Sequence, residues 1–442
     1  MHTAHQETIE KRIHVSELSL GMHVVRLDKP WEETDFLIQG FVIRDESELE
    51  ALRLQCSYVF IEGRLEAEPA PARRQPQQPA SAPRKGLFRG RPAGRSDKSA
   101  RAQPVRRRVN YMNKIDSATE MKTAVVKFKD AQQTAKSIMS GLRLGRTLDL
   151  NNARAVVDSC VDSVLRNENA LLLLTKIKNQ DEYTAEHCLN VAILCAAFGK
   201  HLGLLEEEIR NLSLCGMLHD VGKTRIPNEI LNKPGALTPS EFEIMREHTT
   251  HGRNILMSTS RSLTMAVDVA FNHHERIDGQ GYPRGLQAQQ IPFFAKIVGL
   301  VDTYDAITSN RIYDKGRASM HALDIIHKHR GTQFDEELAV AFIQLIGVYP
   351  PGSIVELMNG EVGIVVENQK QHKLKPKVLL VRESDKTPLP SFRTVDLMLG
   401  PKDASGEVYK IAREVPDGTH GVVLKDFVEQ GLIFSKPAPI IP

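Results

Sequence analysis

From Ser117 onward the sequence holds helical spacing for more than 200 residues, and this limits what the chain can fold into more than any other feature. Apolar positions recur at three- and four-residue intervals over 117–141, 149–167, 182–201, 206–219, 239–257, 261–273, 292–309, 319–329 and 334–346. Helices of this length bury their apolar stripes only against one another, so the spacing predicts a mainly α bundle. One start is explicit. In Thr238-Pro239-Ser240-Glu241, Thr238 is placed to cap, Pro239 takes the first helical position and Glu241 completes a capping box. After Gly347 the period changes. SIVELMNGEVGIVVEN (353–368) alternates about Asn359-Gly360, a hairpin signal, and VLLVRE (378–383) supplies a third strand. The expectation is a helical bundle with a small C-terminal β extension over 347–405 and a tail over 406–442.

Two segments of different character precede the bundle. Residues 10–66 read as a small α/β or mainly β accessory module, with strands in MHVVRL (22–27), FLIQGFVI (36–43) and YVFI (58–61) and a helix in ESELEALRL (46–54). Trp31, the only tryptophan, reads as a half-buried loop aromatic between two of these elements. Residues 67–110 are dominated by Pro, Ala, Gln, Arg and Gly. Such a stretch cannot offset its ordering entropy and reads as a disordered linker. Connecting helices over 115–166 then lead to 167–346, where the chemistry is concentrated.

Charge follows the same division. Between Pro69 and Arg108 there are 12 Lys/Arg against one acid, Asp97; taking that surplus of 11 from the chain's +3 leaves about −8 for the rest. The basic character therefore belongs to the linker and not to a nucleic-acid-binding fold. Among the 442 residues there is no run of 18 apolar positions, so no membrane span is expected. MHTAHQETIEKRIHV lacks the apolar core of a secretory signal, which points to the cytoplasm. Cys56, Cys160, Cys188, Cys195 and Cys215 are scattered without a CxxC pair and read as small buried hydrophobes in a reducing compartment.

Ionisable residues interrupt the helical apolar runs where a simple core would exclude them. LCGMLHDVGK (214–223) is an apolar helix that runs into His219 and Asp220 and stops at Gly222, with Lys223 following. Burying such a pair costs several kcal/mol unless it is compensated, and a divalent cation compensates both residues at once. His187 lies within YTAEHCLNVAILCAAFG, His248 on the capped helix, His273 and His274 at the end of the next, and Asp302 within AKIVGLVDTYDAITSN. Five histidines and two aspartates thus come from five helices, as a metal site in a bundle core requires. Two cations sharing Asp220 account for the count. His187, His219, Asp220 and Asp302 would hold one; Asp220, His248, His273 and His274 would hold the other.

These residues and motifs (YTAEHCLNV, LHDVGK, HHERIDGQGYP and DTYDAITSNR) resemble the HD-GYP domain of the HD superfamily, across residues 167 to about 383. Residues 10 to about 65 resemble the small uncharacterised module often found ahead of such domains in bacteria. The resemblance implies metal-dependent hydrolysis of cyclic di-GMP to linear pGpG, with the further step to GMP left open, by a metal-bridging hydroxide. Two divalent cations are expected, iron or manganese before magnesium or zinc. It implies Lys223 as a partner of the attacking water or phosphate. It gives Gly281, Tyr282 and Pro283 as a loop closing over substrate, Arg311 as a ligand contact, and GGDEF-type signalling proteins as partners. Glu275 and Asp278 fit best as residues that orient that loop or the histidines.

The sequence departs from the family in two places. Members with a third metal carry Glu where this chain has Tyr183, which predicts two metals here. Members commonly have a basic residue shortly after Arg311, whereas this chain has Asp314 and then Lys315, which leaves one phosphate contact open. Hydrolysis of another cyclic dinucleotide, or binding of cyclic di-GMP without turnover, stays open as an alternative. The helix at 117–141 offers an apolar face either to a second copy or to its own domain.

Overall fold

The computed structural model describes residues 9–28, 41–43, 46–63, 108–177, 183–309, 319–369, 372 and 374–434. The chain divides into two compact units, Met1–Arg106 and Arg107–Pro442. Trp31 and the linker 69–107 lie outside the described residues, as do Arg311, Asp314 and Lys315.

The N-terminal unit is one antiparallel sheet with a helix. Its strands are β1 (Ile9–His14), β2 (His23–Leu27), β3 (Phe41–Val42) and β4 (Tyr58–Gly63), in the order β1-β4-β2-β3, and α1 (Glu46–Gln55) precedes β4. Ile13, Val24, Ile43, Leu49, Leu52 and Val59 form its core. Strand β1 has no counterpart in the expectation, because IEKRIH carries four charged or titratable groups among its six residues and signals poorly. Its partner β4, reached only through the fold, supplies the pairing from Ile9–Gly63 to His14–Tyr58.

The second unit begins with α2 (Ser117–Arg143), capped by the Asp116 carboxylate accepting the Thr119 amide at 2.8 Å. Its buried residues Met121, Ala124, Phe128, Ala131, Ala135, Ile138 and Leu142 fall at intervals of three and four. That stripe packs on α3 (Leu150–Arg166), α4 (Glu168–Leu174) and α5 (Tyr183–His201) of the same chain. The apolar face considered for dimerisation is thus used internally. A buried Glu120 accepts hydrogen bonds from Ser163 Oγ at 2.6 Å and Arg166 Nε at 2.7 Å, fastening α2 to α3.

Helix α5 is buried along almost its whole length, which explains a sequence apolar on every side. Around it run α6 (Glu206–Leu218), a 3-10 turn (Val221–Arg225), α7 (Asn228–Leu231), α8 (Pro239–Arg246), α9 (His248–Thr259), α10 (Thr264–Asn272), α11 (Phe293–Thr308), α12 (Ser319–Lys328) and α13 (Glu336–Ile346). The capping box at Thr238 is present, with Thr238 Oγ1 accepting from the Glu241 amide and Glu241 accepting from the Thr238 amide. The single helix expected over 239–257 is two. At Glu247 the amide bonds to Ile244 O, three residues back instead of four, and the tightened turn starts a new axis at His248.

Strands β5 (Ile354–Leu357), β6 (Val362–Glu367), β7 (Lys377–Arg382), β8 (Pro388–Asp396) and β9 (Ile411–Val415) form an antiparallel sheet in the order β8-β7-β6-β5-β9. The Asn359-Gly360 turn joins β5 to β6, with Gly360 at a φ of 88°. Reading 406–442 as a tail is corrected here. Residues 411–415 pair with β5, and α14 (Leu424–Glu429) buries Leu424, Phe427 and Val428.

Candidate functional site

Each ionisable residue singled out in the bundle stands at or near the end of an element, except Asp302. His187 is in the second turn of α5, His219 follows α6, Asp220 leads into the 3-10 turn, His248 opens α9, His273 and His274 follow α10, and Asp302 lies midway along α11. Three of the histidines donate to backbone carbonyls near the element ends. His219 Nδ1 donates to Gly216 O at 2.7 Å, His248 Nδ1 to Met245 O at 2.6 Å, and His273 Nδ1 to Val269 O at 3.1 Å. A carbonyl only accepts, so Nδ1 carries a proton and each Nε2 faces inward.

The inward atoms converge on Asp220, which is fully buried. Its Oδ2 lies 3.3 Å from His219 Nε2, 3.7 Å from His187 Nε2 and 2.5 Å from Lys223 Nζ. Its Oδ1 lies 3.4 Å from His248 Nε2 and 3.8 Å from His273 Nε2. The two oxygens therefore face two different histidine groups. His187, His219 and Asp302 form one set of donor atoms within 4.8 Å of one another, and His248, His273 and His274 form a second.

The electrostatics are those of a site short of positive charge. Burial favours the protonated form of Asp220 and Asp302. Lys223 and His219 outweigh it at Asp220, and His187 and His219 at Asp302, so both carboxyls are held well below the ordinary range. Burial works against protonated His219, yet the Asp220 and Asp302 carboxylates raise it to about 10. In the second set, burial dominates. It drives His248 down to about 4 and, reinforced by His248, takes His274 to about 3. One set thus attracts a cation and the other offers neutral imidazoles. His219 Nε2 and Asp220 Oδ1 are buried without a hydrogen-bond partner among the described residues, an expensive condition for groups of their kind. Donors of this chemistry fit divalent transition cations.

Backbone packing keeps the cluster tight. A Cβ on Gly222 would lie 1.9 Å from His248 O, and one on Gly281 would lie 2.3 Å from Arg276 N and 2.6 Å from His274 O. No side chain fits in either place. Glu275 holds the loop that follows, accepting from the Arg284 amide at 2.7 Å and the Leu286 amide at 2.9 Å, while Asp278 pairs with Arg276 at 2.6 Å. The Tyr282–Pro283 peptide is cis. Beside His273 and His274 opens a cavity of about 380 Å³, whose wall includes Phe242, Arg246, Tyr282, Lys296 and Thr303.

The sequence reading missed Asp305. Its Oδ2 accepts from His187 Nδ1 at 2.8 Å and from Ser309 Oγ at 3.2 Å, so it orients His187 as the carbonyls orient the others. The signal was present in DTYDAITS, where Asp302 and Asp305 stand three apart on one helical face.

Comparison with known proteins accords with this geometry. A family model described as an HD domain matches residues 165–338. A domain of unknown function matches 10–153, and a KOW domain associated with HD domains matches 354–402. A cyclic di-GMP phosphodiesterase of Pseudomonas aeruginosa is 35% identical over 390 residues, covering 88% of this chain and 89% of the relative. The chain belongs to the HD-GYP family. An HD-GYP core alone is shared with a cyclic di-GMP phosphodiesterase of Thermotoga maritima, 40% identical over 38% of this chain and 45% of that one. It is shared also with a 3'3'-cGAMP-specific phosphodiesterase of Vibrio cholerae, 38% identical over 36% of this chain and 37% of that one. The N-terminal match runs on past the module into α3, so the family groups module, linker and connecting helices as one segment.

Proposed function

We propose that this HD-GYP protein hydrolyses cyclic di-GMP to the linear dinucleotide pGpG at a centre of two divalent cations. The observation that carries the reading is Asp220, whose two buried oxygens face separate histidine groups. His187, His219, Asp220 and Asp302 would hold one cation, and Asp220, His248, His273 and His274 the other. When bound, the cations supply a nucleophile at neutral pH and neutralise charge building on the phosphoryl oxygens. Iron and manganese suit this set of imidazoles and carboxylates.

The chain's own residues do the rest. Asp305 and the carbonyls of Gly216, Met245 and Val269 hold the imidazoles in one tautomer. Lys223, beside Asp220, is placed to meet a phosphate oxygen or the attacking water. Arg311 and Lys315 contribute phosphate or guanine contacts, and the Gly281-Tyr282-Pro283 loop bounds the substrate side. The choice of cyclic di-GMP over another cyclic dinucleotide rests on the Pseudomonas relative, which matches nearly the whole chain, whereas the cGAMP enzymes match only the core. The N-terminal module, 10–66, acts as the regulatory part, joined through 67–110 to the catalytic domain 167–346. No helix among the described residues is long and apolar enough to cross a membrane, in keeping with a cytoplasmic role.

The test is incubation of reduced, Mn- or Fe(II)-loaded protein with cyclic di-GMP, followed by chromatography. Linear product is expected. Tight binding without product from fully loaded protein would establish a receptor in place of an enzyme.

A further inference from the structure

Four of the five clustered histidines are fixed by a hydrogen bond at Nδ1: His187 to Asp305, His219 to Gly216 O, His248 to Met245 O and His273 to Val269 O. His274 is the exception, for its ring makes no hydrogen bond among the described residues. A histidine that lacks such an anchor must be oriented by packing, because a metal ligand needs a fixed orientation.

The His273 ring, 4.1 Å away between centroids, and the His248 ring, 5.0 Å away, also touch His274, but both are committed to the proposed cation; the ring left to support it is that of Tyr282. The His274 and Tyr282 rings stack with centroids 4.7 Å apart and planes at 28°. The Tyr282 amide also donates to His274 O at 3.2 Å, so backbone and ring are gripped together. Tyr282 is itself braced. The Arg246 guanidinium lies 4.8 Å from its ring centroid, Arg246 is paired with Glu243 at 2.8 Å, and Phe242 meets the ring edge-on at 6.2 Å. Its hydroxyl makes no hydrogen bond among the described residues.

We infer that Tyr282 is a positioning residue for His274, its aromatic ring replacing the hydrogen bond that orients each of the other four histidines. The inference rests on His274 being a metal ligand, and it adds support of the metal centre to the place Tyr282 has on the cavity wall. For the support of His274 the ring is the functional part, and the hydroxyl is dispensable there. Arg246 acts one step further out, by holding the ring in place.

The experiment is titration of the full-length protein with Co(II), followed by visible absorption and by metal content after desalting. Wild type, His274→Ala, Tyr282→Phe and Tyr282→Leu are compared. Wild type is expected to hold two cations per chain and His274→Ala to weaken one. Tyr282→Phe should match wild type in both metal affinities and in its absorption bands. Tyr282→Leu should weaken one cation by about 10–100-fold, the range for loss of a supporting partner, and perturb one set of bands. Two outcomes overturn the inference while leaving the metal site intact. One is Tyr282→Leu with wild-type affinities for both cations. The other is Tyr282→Phe weakening one cation as much as Tyr282→Leu does, which assigns the support to the hydroxyl. A wild-type protein that holds no cation, or a His274→Ala variant that holds both as tightly as wild type, overturns the ligand reading and this inference with it.

Discussion

His187 is held from both edges of its ring, with Nδ1 2.8 Å from Asp305 Oδ2 and Nε2 2.9 Å from Asp302 Oδ1. The two aspartates are one helical turn apart on α11, so a single helix both offers a carboxylate to the proposed cation and orients a neighbouring imidazole. Replacing Asp305 with Ala should weaken divalent affinity about 10–100-fold, as loss of a supporting carboxylate does elsewhere. Asp305→Asn, which keeps an acceptor, should fall between that variant and wild type. Metal titration reads the difference, and equal affinity in Asp305→Ala and wild type would remove Asp305 from the site.

Asp220 offers a different kind of test because both histidine groups face it. Asp220→Ala is expected to lose hydrolysis and to lower metal content below two per chain, measured by elemental analysis. Two cations retained in that variant would show that the ligands are divided in some other way.

Gly222 sets how closely the turn after His219 approaches α9. In Gly222→Ala the new methyl would meet His248 O at 1.9 Å and Gly252 N at 2.4 Å, both backbone atoms unable to swing aside. Overpacking typically costs about 1–3 kcal/mol, and a backbone clash this short belongs at or above the top of that range. A lowered melting temperature and weakened metal binding are expected together. Wild-type values for both would mean that the helices separate at little cost.

The metal-free protein should lose stability as pH falls from about 6.5 toward 4. Burial lowers His248 to about 4 and His274 to about 3, so both stay neutral in the folded state while the unfolded chain takes up protons near 6.5. Their contribution is present above 6.5 and is lost on the way down, by about 1.4 kcal/mol for each pKa unit per group. His219, raised to about 10, gives its full contribution below 6.5 and does not vary in this window. Asp220 and Asp302, held low, matter only below about 4. Thermal melts of chelator-treated protein across this range check the sign, and a melting temperature that rises on acidification contradicts it.

Much of the bundle was legible because helical period and capping are local. Thr238, Pro239 and Glu241 announced a helix start within four residues, and the stripe from Met121 to Leu142 declared a face to be buried. The ligand residues were legible for a related reason, since an ionisable side chain in an apolar run stands out wherever it occurs. The break at Glu247 was not, because it depends on one amide choosing between two carbonyls. Strands β1 and β9 were missed because each finds its partner about 50 residues away along the chain, at Gly63–Tyr58 and at Ile354–Leu357. Neither short segment carries enough alternation to declare itself alone.

The sequence by itself, through its motifs and the family resemblance they carry, pointed to five histidines and two aspartates sharing one buried space, since ionisable groups in apolar runs need compensation. Only the tertiary structure decided how they divide: which oxygen of Asp220 faces which histidines, that Asp305 stands behind His187, and that Tyr282 lies against His274. Those relations depend on distances of 3 to 5 Å between side chains on different helices. Packing fixes such distances, and no spacing along a single helix encodes them.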